Sequence, residues 1–471
     1  MLREASYFLR MARGWREFIR TPPARDPRAV VREHVRRREE NFLDLARRAI
    51  YANASNPYHA LLRRAGCGYQ DLATAVHADG LDATLGVLAE AGVYLTHDEF
   101  KGRQPILRPG IEIAVRPGDF MNPLGGGALE TTSSGSRSTG TITRQSPGFQ
   151  VYKEAQEALF LEQFGAPPRV VGALYPILPS TVGVRRTLSC LRLGVPPERW
   201  FTLGGSLSDS GHYSILTRLL VLQSRLMGQR QPLPVSLPEN DFSPPARWIA
   251  RRKREGAQVL FLAPVSFAVR VAAAALESAL DIAGTVFVSG AEALTEAKRE
   301  VVERAGAEIY PRYGISELGW VACSCSHMNK VNAMHVMKDS VAVITRKRTP
   351  PLADAEVDSL LTTTLHPLSS YVLINVEMDD SGTLEPAACD CPLKAMGLDQ
   401  QIRDIYSYGK LTGQGITLLG GDVLNVLEKS LPARFGGAPT DYQLVEREGE
   451  AQTVTELRVS PRAGQNSAEE V

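Results

Sequence analysis

Between residues 258 and 310 the chain changes its hydrophobic period four times. Gln258-Val-Leu-Phe-Leu262 is a short apolar run, and residues 269–279 repeat their apolar positions at helical spacing. Gly284-Thr-Val-Phe-Val288 is apolar again, 296–305 is amphipathic, and Glu308-Ile-Tyr310 opens a third run. Strands separated by a helix-length connection lie side by side in parallel, and strands this apolar must be covered on both faces. The stretch therefore predicts an α/β fold in which parallel sheets are covered by helices. Ligands in such sheets sit at the carboxyl ends of the strands, which makes 289–292 and 311–317 the loops to inspect. A buried strand over 169–175 and a helix over 213–227 extend the pattern. After residue 335, short alternating strands at 341–345 and 359–364 predict a small β subdomain. A Gly-rich α+β region follows, so the expected domains are 1–408 and 409–471, the first beginning with a helical extension over 1–64.

A chain of 471 residues with 44% hydrophobic residues can bury a large core and divide into domains. Its net charge of +1 gives no reason to expect a nucleic-acid partner. No run of 18 apolar residues appears, so no membrane span is expected, and arginines interrupt the first residues where a secretory leader needs an apolar stretch. A cytoplasmic protein is the expectation. Residues 1–64 hold fifteen arginines against seven acids. Interleaved acids favour solvated packing helices with ion pairs over a membrane-surface helix.

The stretch Glu130-Thr-Thr-Ser-Ser-Gly-Ser-Arg-Ser-Thr-Gly-Thr-Ile-Thr-Arg144 is too small and polar for a core strand or an amphipathic helix. Its hydroxyls and backbone N–H groups can wrap anionic oxygens, although composition alone favours a solvated linker. Gly135 and Gly140 have Walker A spacing, but Thr141 stands where the lysine belongs and Ile142-Thr-Arg-Gln alternates like a strand. The pattern argues against a Walker NTPase.

Three loops in order carry a resemblance: Ser133-Ser-Gly-Ser-Arg-Ser138, Gly290-Ala-Glu-Ala293 and Tyr313-Gly-Ile-Ser-Glu317. Together they resemble the adenylate-forming superfamily of acyl-CoA synthetases, luciferases and peptide-synthetase adenylation domains. They are most similar to its phenylacetate–CoA-ligase-like branch, as are Asn56-Pro-Tyr58 and Leu95-Thr-His-Asp-Glu99. The resemblance implies ATP- and Mg²⁺-dependent conversion of a carboxylic acid, aryl or acyl, to an acyl-AMP, followed by transfer to a thiol such as CoA. By it, Ser133, Ser134, Gly135, Ser136 and Thr139 would hold the β- and γ-phosphates, with Arg137 added here as a phosphate clamp. Gly290, Ala291 and Glu292 would line the base pocket with Tyr313 and Gly314, Ser316 would approach the α-phosphate, and Glu317 would hold Mg²⁺. Asp380, with Asp379 as alternate, would bond the ribose, although Asn375 and Glu377 replace two arginines of that stretch. Tyr175, Ser266 and Phe267 would contribute to an apolar pocket for the acid.

Cys323, Cys325, His335, Cys389 and Cys391 offer soft ligands for a structural Zn²⁺, matching a site common in that branch. Cys67 and Cys190 read as packing residues. In the hinge motif Lys410 replaces an arginine, and Arg403 is the substitute within reach. The adenylation lysine that relatives carry near the end has no counterpart after Lys429, so the C-terminal domain is expected to be incomplete. Three functions stay open: an acid–thiol ligase, an acyl-protein or amide synthetase whose acceptor is a carrier protein or amine, and a non-catalytic nucleotide-binding homologue. A homodimer stays open as well.

Overall fold

The computed structural model describes residues 2–127, 129–132, 142–165, 169–203, 211–238, 240–327, 330–350, 355–408, 412–413, 416–417, 420–448 and 453–463. It opens with helices α1 (Leu2–Arg20), α2 (Pro27–Arg36), α3 (Arg38–Ala46), α4 (Pro57–Arg64), α5 (Tyr69–Asp79), α6 (Leu81–Glu90) and α7 (His97–Phe100). Their starts are written in the sequence. Asp26 and Asn56 each cap a helix whose next residue is proline, accepting from Ala29 N at 2.9 Å and Tyr58 N at 3.0 Å. Thr96 and Glu99 close a reciprocal capping box over α7.

The basic N-terminal helices are packing elements. Trp15 and Phe18 of α1 are buried, and the Trp15 indole donates to Ser224 Oγ at 2.9 Å. Exposed arginines of the next helices pair locally, Arg36 with Glu33 and Arg37 with Glu40. Such exposed pairs add little stability, so the buried aromatics hold this region down.

After the short pair β1 (Ile106–Arg108) and β2 (Ile111–Ile113) comes a hairpin of β3 (Leu129–Thr132) and β4 (Ile142–Gln145), paired from Leu129↔Gln145 to Thr132↔Ile142. Ser146 then caps α8 (Pro147–Glu162). The predicted alternation follows: β5 (Arg169–Leu174), α9 (Val182–Arg192), β6 (Pro197–Leu203), α10 (Gly211–Leu226), β7 (Pro234–Leu237), α11 (Ser243–Arg254), β8 (Gln258–Pro264), α12 (Val265–Glu277), β9 (Val286–Gly290), α13 (Glu296–Arg304) and β10 (Glu308–Ile315). Next come β11 (Gly319–Cys323), β12 (Met334–Val336), β13 (Val341–Arg348), β14 (Val357–Thr364), β15 (Val376–Pro386) and β16 (Gln400–Ser407).

Twelve of these strands form one sheet in the order β13-β14-β15-β16-β12-β11-β10-β9-β8-β5-β6-β7. From β7 to β10 neighbours are parallel, and from β10 onward they are antiparallel. The small β region is thus continuous with the parallel half, and the change of sense falls at β10. Alternation in β8 shows why both faces are covered: Leu260 and Leu262 enter one core, while Val259, Phe261 and Ala263 enter the other beside Trp248 and Phe287. Full burial of a ring such as Phe261 contributes about 2–3 kcal/mol.

Beyond residue 408, a helix from Gly420 and the hairpin Tyr442–Glu448 with Thr453–Val459 share a small core of their own, Val423, Leu427, Tyr442 and Ala463. Glu428 ties it to α13 through Lys298 at 2.8 Å. No helix among the described residues is long and apolar enough to cross a membrane.

Candidate active site and candidate metal centre

The carboxyl ends of β9 and β10 lie next to each other, with Gly290 opposite Arg312. A Cβ on Gly290 would meet the Arg312 carbonyl oxygen at 2.9 Å, so glycine is required here by the neighbouring strand. The following Ala291 adopts φ +71°, a left-handed turn that ends the strand abruptly. Glu292 is exposed and accepts from Ser266 Oγ at 2.7 Å. On β10, Gly314 gives the Trp320 ring room that a Cβ would close at 2.9 Å.

Tyr313 and Asp380, 67 residues apart, meet here: the phenol donates to Asp380 Oδ2 at 2.7 Å. Burial first, then the adjacent carboxylate, pushes the Tyr313 phenol well above its ordinary value. Asp379 turns the strand at φ +58° and lies 3.4 Å from His97 Nδ1. Just past β10, Glu317 is buried and accepts from Lys101 Nζ at 2.6 Å, while Ser316 is exposed. Lys101 follows the capping box of α7, but its 216-residue reach to Glu317 leaves no local signal, and sequence reasoning missed it. Arg403 is not brought to Asp380. Opposite Asp380 on β16 stands Ser407, and Arg403 pairs farther along with Thr383 and binds Glu385 at 3.2 Å and Asp404. Ser133, Ser134, Gly135, Ser136, Arg137, Thr139 and Lys410 lie outside the described residues.

A cavity of about 330 Å³ opens between α8, α9 and the ends of β9 and β10. Tyr175, Gly290, Ala291 and Ser316 line it, as expected of a site at the strand ends. Ser266 and Phe267 do not, because α12 starts directly at Val265 and turns them to Glu292 and to the Phe242 ring. Nor is the lining apolar: Lys153, Arg185, Arg186 and Arg312 all contribute to it. Glu157 accepts from Arg312 Nη1 at 2.5 Å and from Arg186 Nη1. Burial would raise that carboxyl, but the two arginines outweigh it and hold it at about 2. Burial, followed by the nearby Arg186, brings Arg185 down to about 10. The Arg186 and Arg312 guanidiniums each lie 4.5 Å from the Trp320 ring. A second cavity, about 420 Å³, lies at the opposite, amino ends of β8 and β10 beside Gln258 and Glu308, where parallel sheets do not build ligand sites.

Four of the five candidate zinc ligands converge. Cys325, His335, Cys389 and Cys391 are buried, and their ligand atoms all lie within 4.8 Å of one another. His335 Nε2 is 3.2 Å from the sulfurs of both Cys389 and Cys391, and Cys325 Sγ is 3.6 Å from Cys389 Sγ. Tetrahedral zinc with bonds of about 2.0–2.3 Å spaces its ligands at about 3.3–3.8 Å. His335 Nδ1 lies 2.7 Å from the Leu398 carbonyl oxygen, which accepts a hydrogen bond from Nδ1–H and leaves Nε2 for a metal. Three thiols with one imidazole fit Zn²⁺. Cys323 is not part of the set: it ends β11 and faces Met337 Sδ at 3.5 Å, and burial pushes its thiol up.

No protein-family model matches the chain, and no curated protein matches it by sequence. Among solved structures it is similar to 2-hydroxyisobutyryl-CoA ligase in the postadenylation state in complex with 2-HIB-AMP. The TM-score is 0.54 at 13% identity, covering 90% of this chain and 79% of that one. The same ligase in the thioesterification state, in complex with 2-HIB-AMP and CoA, gives 0.50 at 13% identity, covering 91% and 78%. At this identity the likeness concerns the fold: the chain folds as an adenylate-forming ligase does.

Proposed function

We propose that the protein adenylates a carboxylic acid with ATP and passes the acyl group to a thiol, CoA being the first acceptor to test. The observation that carries this is the hydrogen bond from Tyr313 of β10 to Asp380, with Glu317 just past that strand, in a fold shared with a ligase that binds an acyl-AMP and CoA. The acid's carboxylate oxygen attacks the α-phosphorus, the bond to pyrophosphate breaks, and acyl-AMP remains. The thiolate then forms the C–S bond and AMP leaves. Asp380 bonds the ribose, the Tyr313 ring stacks on adenine, and Gly290 and Ala291 border the base. Ser316 approaches the α-phosphate, and residues 133–139 with Arg137 hold the outer phosphates. Lys410 acts from the 409–471 domain, set apart from 1–408. Glu317 is the carboxylate for Mg²⁺, which would neutralise charge on the phosphoryl oxygens. Cys325, His335, Cys389 and Cys391 hold a structural zinc.

Phosphoryl-transfer sites act by positioning and charge neutralisation, so pyrophosphate exchange with a panel of acids is the direct test. Exchange with at least one acid, lost in Glu317→Gln, is the expected result, and no exchange with any acid sinks the proposal. A second reading, a non-catalytic nucleotide-binding module, is favoured by the Lys101 ammonium resting on Glu317. It expects ATP binding without exchange. Comparing CoA with a carrier protein then identifies the acceptor.

A further inference from the structure

The cavity between α8 and α9 gathers charge that the described residues of its walls do not balance. Lys153, Arg185, Arg186 and Arg312 line it, and Glu157 neutralises part of what Arg186 and Arg312 bring. Glu154, on the same helix as Glu157, is taken up by Arg192 at 2.9 Å. Lys153 Nζ donates to the neutral amide oxygen of Gln145 at 2.5 Å. Arg185 makes no ion pair among the described residues, and its Nε is buried without a hydrogen-bond partner, as is Arg312 Nε. Burial, then Arg185 and Arg186, pushes the Lys153 ammonium well below its ordinary value. Crowded cations in a low-dielectric wall oppose folding unless a bound anion offsets them. Tyr175 and Trp320 add aromatic rings to the lining beside the charge. At about 330 Å³ the space is near the small end of ligand pockets, about 300–1,000 Å³.

We propose that this cavity takes a short carboxylic acid carrying a second anionic group, a carboxylate or a phosphonate-like group. Lys153 and Arg185 hold that group while the reacting carboxylate lies toward Gly290 and Ser316. The proposal rests on the adenylation reading and specifies the substrate class of the same site. Acids bearing one charge leave Arg185 without a partner. Arginine binds carboxylate and phosphate oxygens through paired N–H donors, which makes it the discriminating residue.

Calorimetric titration without nucleotide reads the cavity directly, using chain-matched pairs: butyrate against succinate, benzoate against isophthalate, and 3-phosphonopropionate for the phosphorus case. The dianion of each pair is expected to bind at least about tenfold more tightly. Arg185→Gln should erase that preference and raise the melting temperature of the unliganded protein by relieving repulsion, while Arg185→Lys restores part of the preference. Equal affinity within pairs, no binding by any member, or a preference that survives Arg185→Gln overturns the proposal. So does an Arg185→Gln variant that loses pyrophosphate binding and keeps the dianion preference. Exchange supported by monoacids alone would uphold adenylation and remove the second anion. Dianion-selective binding without exchange would uphold the cavity's chemistry and remove adenylation.

Discussion

The cationic cavity and the thiol–imidazole cluster both lie against the β10–β12 part of the sheet, and they are opposite in sign. One surrounds an opening with Lys153, Arg185, Arg186 and Arg312. The other brings together Cys325, Cys389 and Cys391, which become anions when they bind metal, around His335. On the proposals above, each would be balanced by something the chain does not supply, an anion in the first and a divalent cation in the second. They differ in closure. All four donors of the cluster are buried and lie within 4.8 Å of one another, an arrangement suited to a metal that stays bound. The cavity keeps one guanidinium unpaired among the described residues and opens toward the strand ends, an arrangement suited to a ligand that comes and goes.

The largest expected effect tests the closed site. Cys391→Ser should lose bound zinc and destabilise the protein by about 4 kcal/mol or more, read from metal content and melting temperature. Metal-free wild-type protein that melts unchanged would remove the stapling role and with it the contrast. Next comes the cavity's own acid: Glu157→Gln leaves Arg186 and Arg312 buried without a counter-charge. A loss of about 3–5 kcal/mol in urea unfolding is expected, partly recovered by added succinate. No loss would mean the guanidiniums are already balanced.

The smallest effect concerns Asp339, just before β13. Its carboxyl binds Tyr152 and Gln156, on the helix that also carries Lys153 and Glu157, and burial raises it from 3.8 to about 6. An acid raised in the folded state favours folding while protonated, so its contribution is full below pH 3.8 and is lost as pH rises through 6. That loss amounts to about 2 kcal/mol between pH 4 and pH 7. Stability of Asp339→Asn should be flatter over this window, and an unchanged pH profile would show the carboxyl to be satisfied when ionised.

The parallel half of the fold was legible because each element satisfies one period. β8, α12, β9, α13 and β10 appear close to where the runs place them, and α12 starts early because Pro264 leads straight into it. The candidate zinc donors were legible as a set, but which four converge was not. Cys323 and Cys325 would share a face in a continuing strand, and β11 stops at Cys323, which frees Cys325 to turn away. The cavity's charge was not legible, since it joins two helices and a strand distant in sequence. Asn375 and Glu377, which depart from the stretch that the sequence otherwise resembles, proved to have structural work. Asn375 donates to the carbonyls of Leu85 and Val93, and Glu377, buried, binds Arg348 and lies 3.7 Å from Arg346.

Lys101 resting on Glu317 has a consequence for the order in which charges can arrive. A carboxylate already matched by an ammonium at 2.6 Å offers little to a lone divalent cation, which would have to evict the lysine into a poorer setting. A cation that comes escorted by phosphates brings the displaced ammonium a new anion at the same moment. If Glu317 takes the Mg²⁺ role proposed above, it would be quiet toward free metal and receptive to metal already complexed with a polyphosphate, and the side chain responsible would be Lys101, 216 residues away.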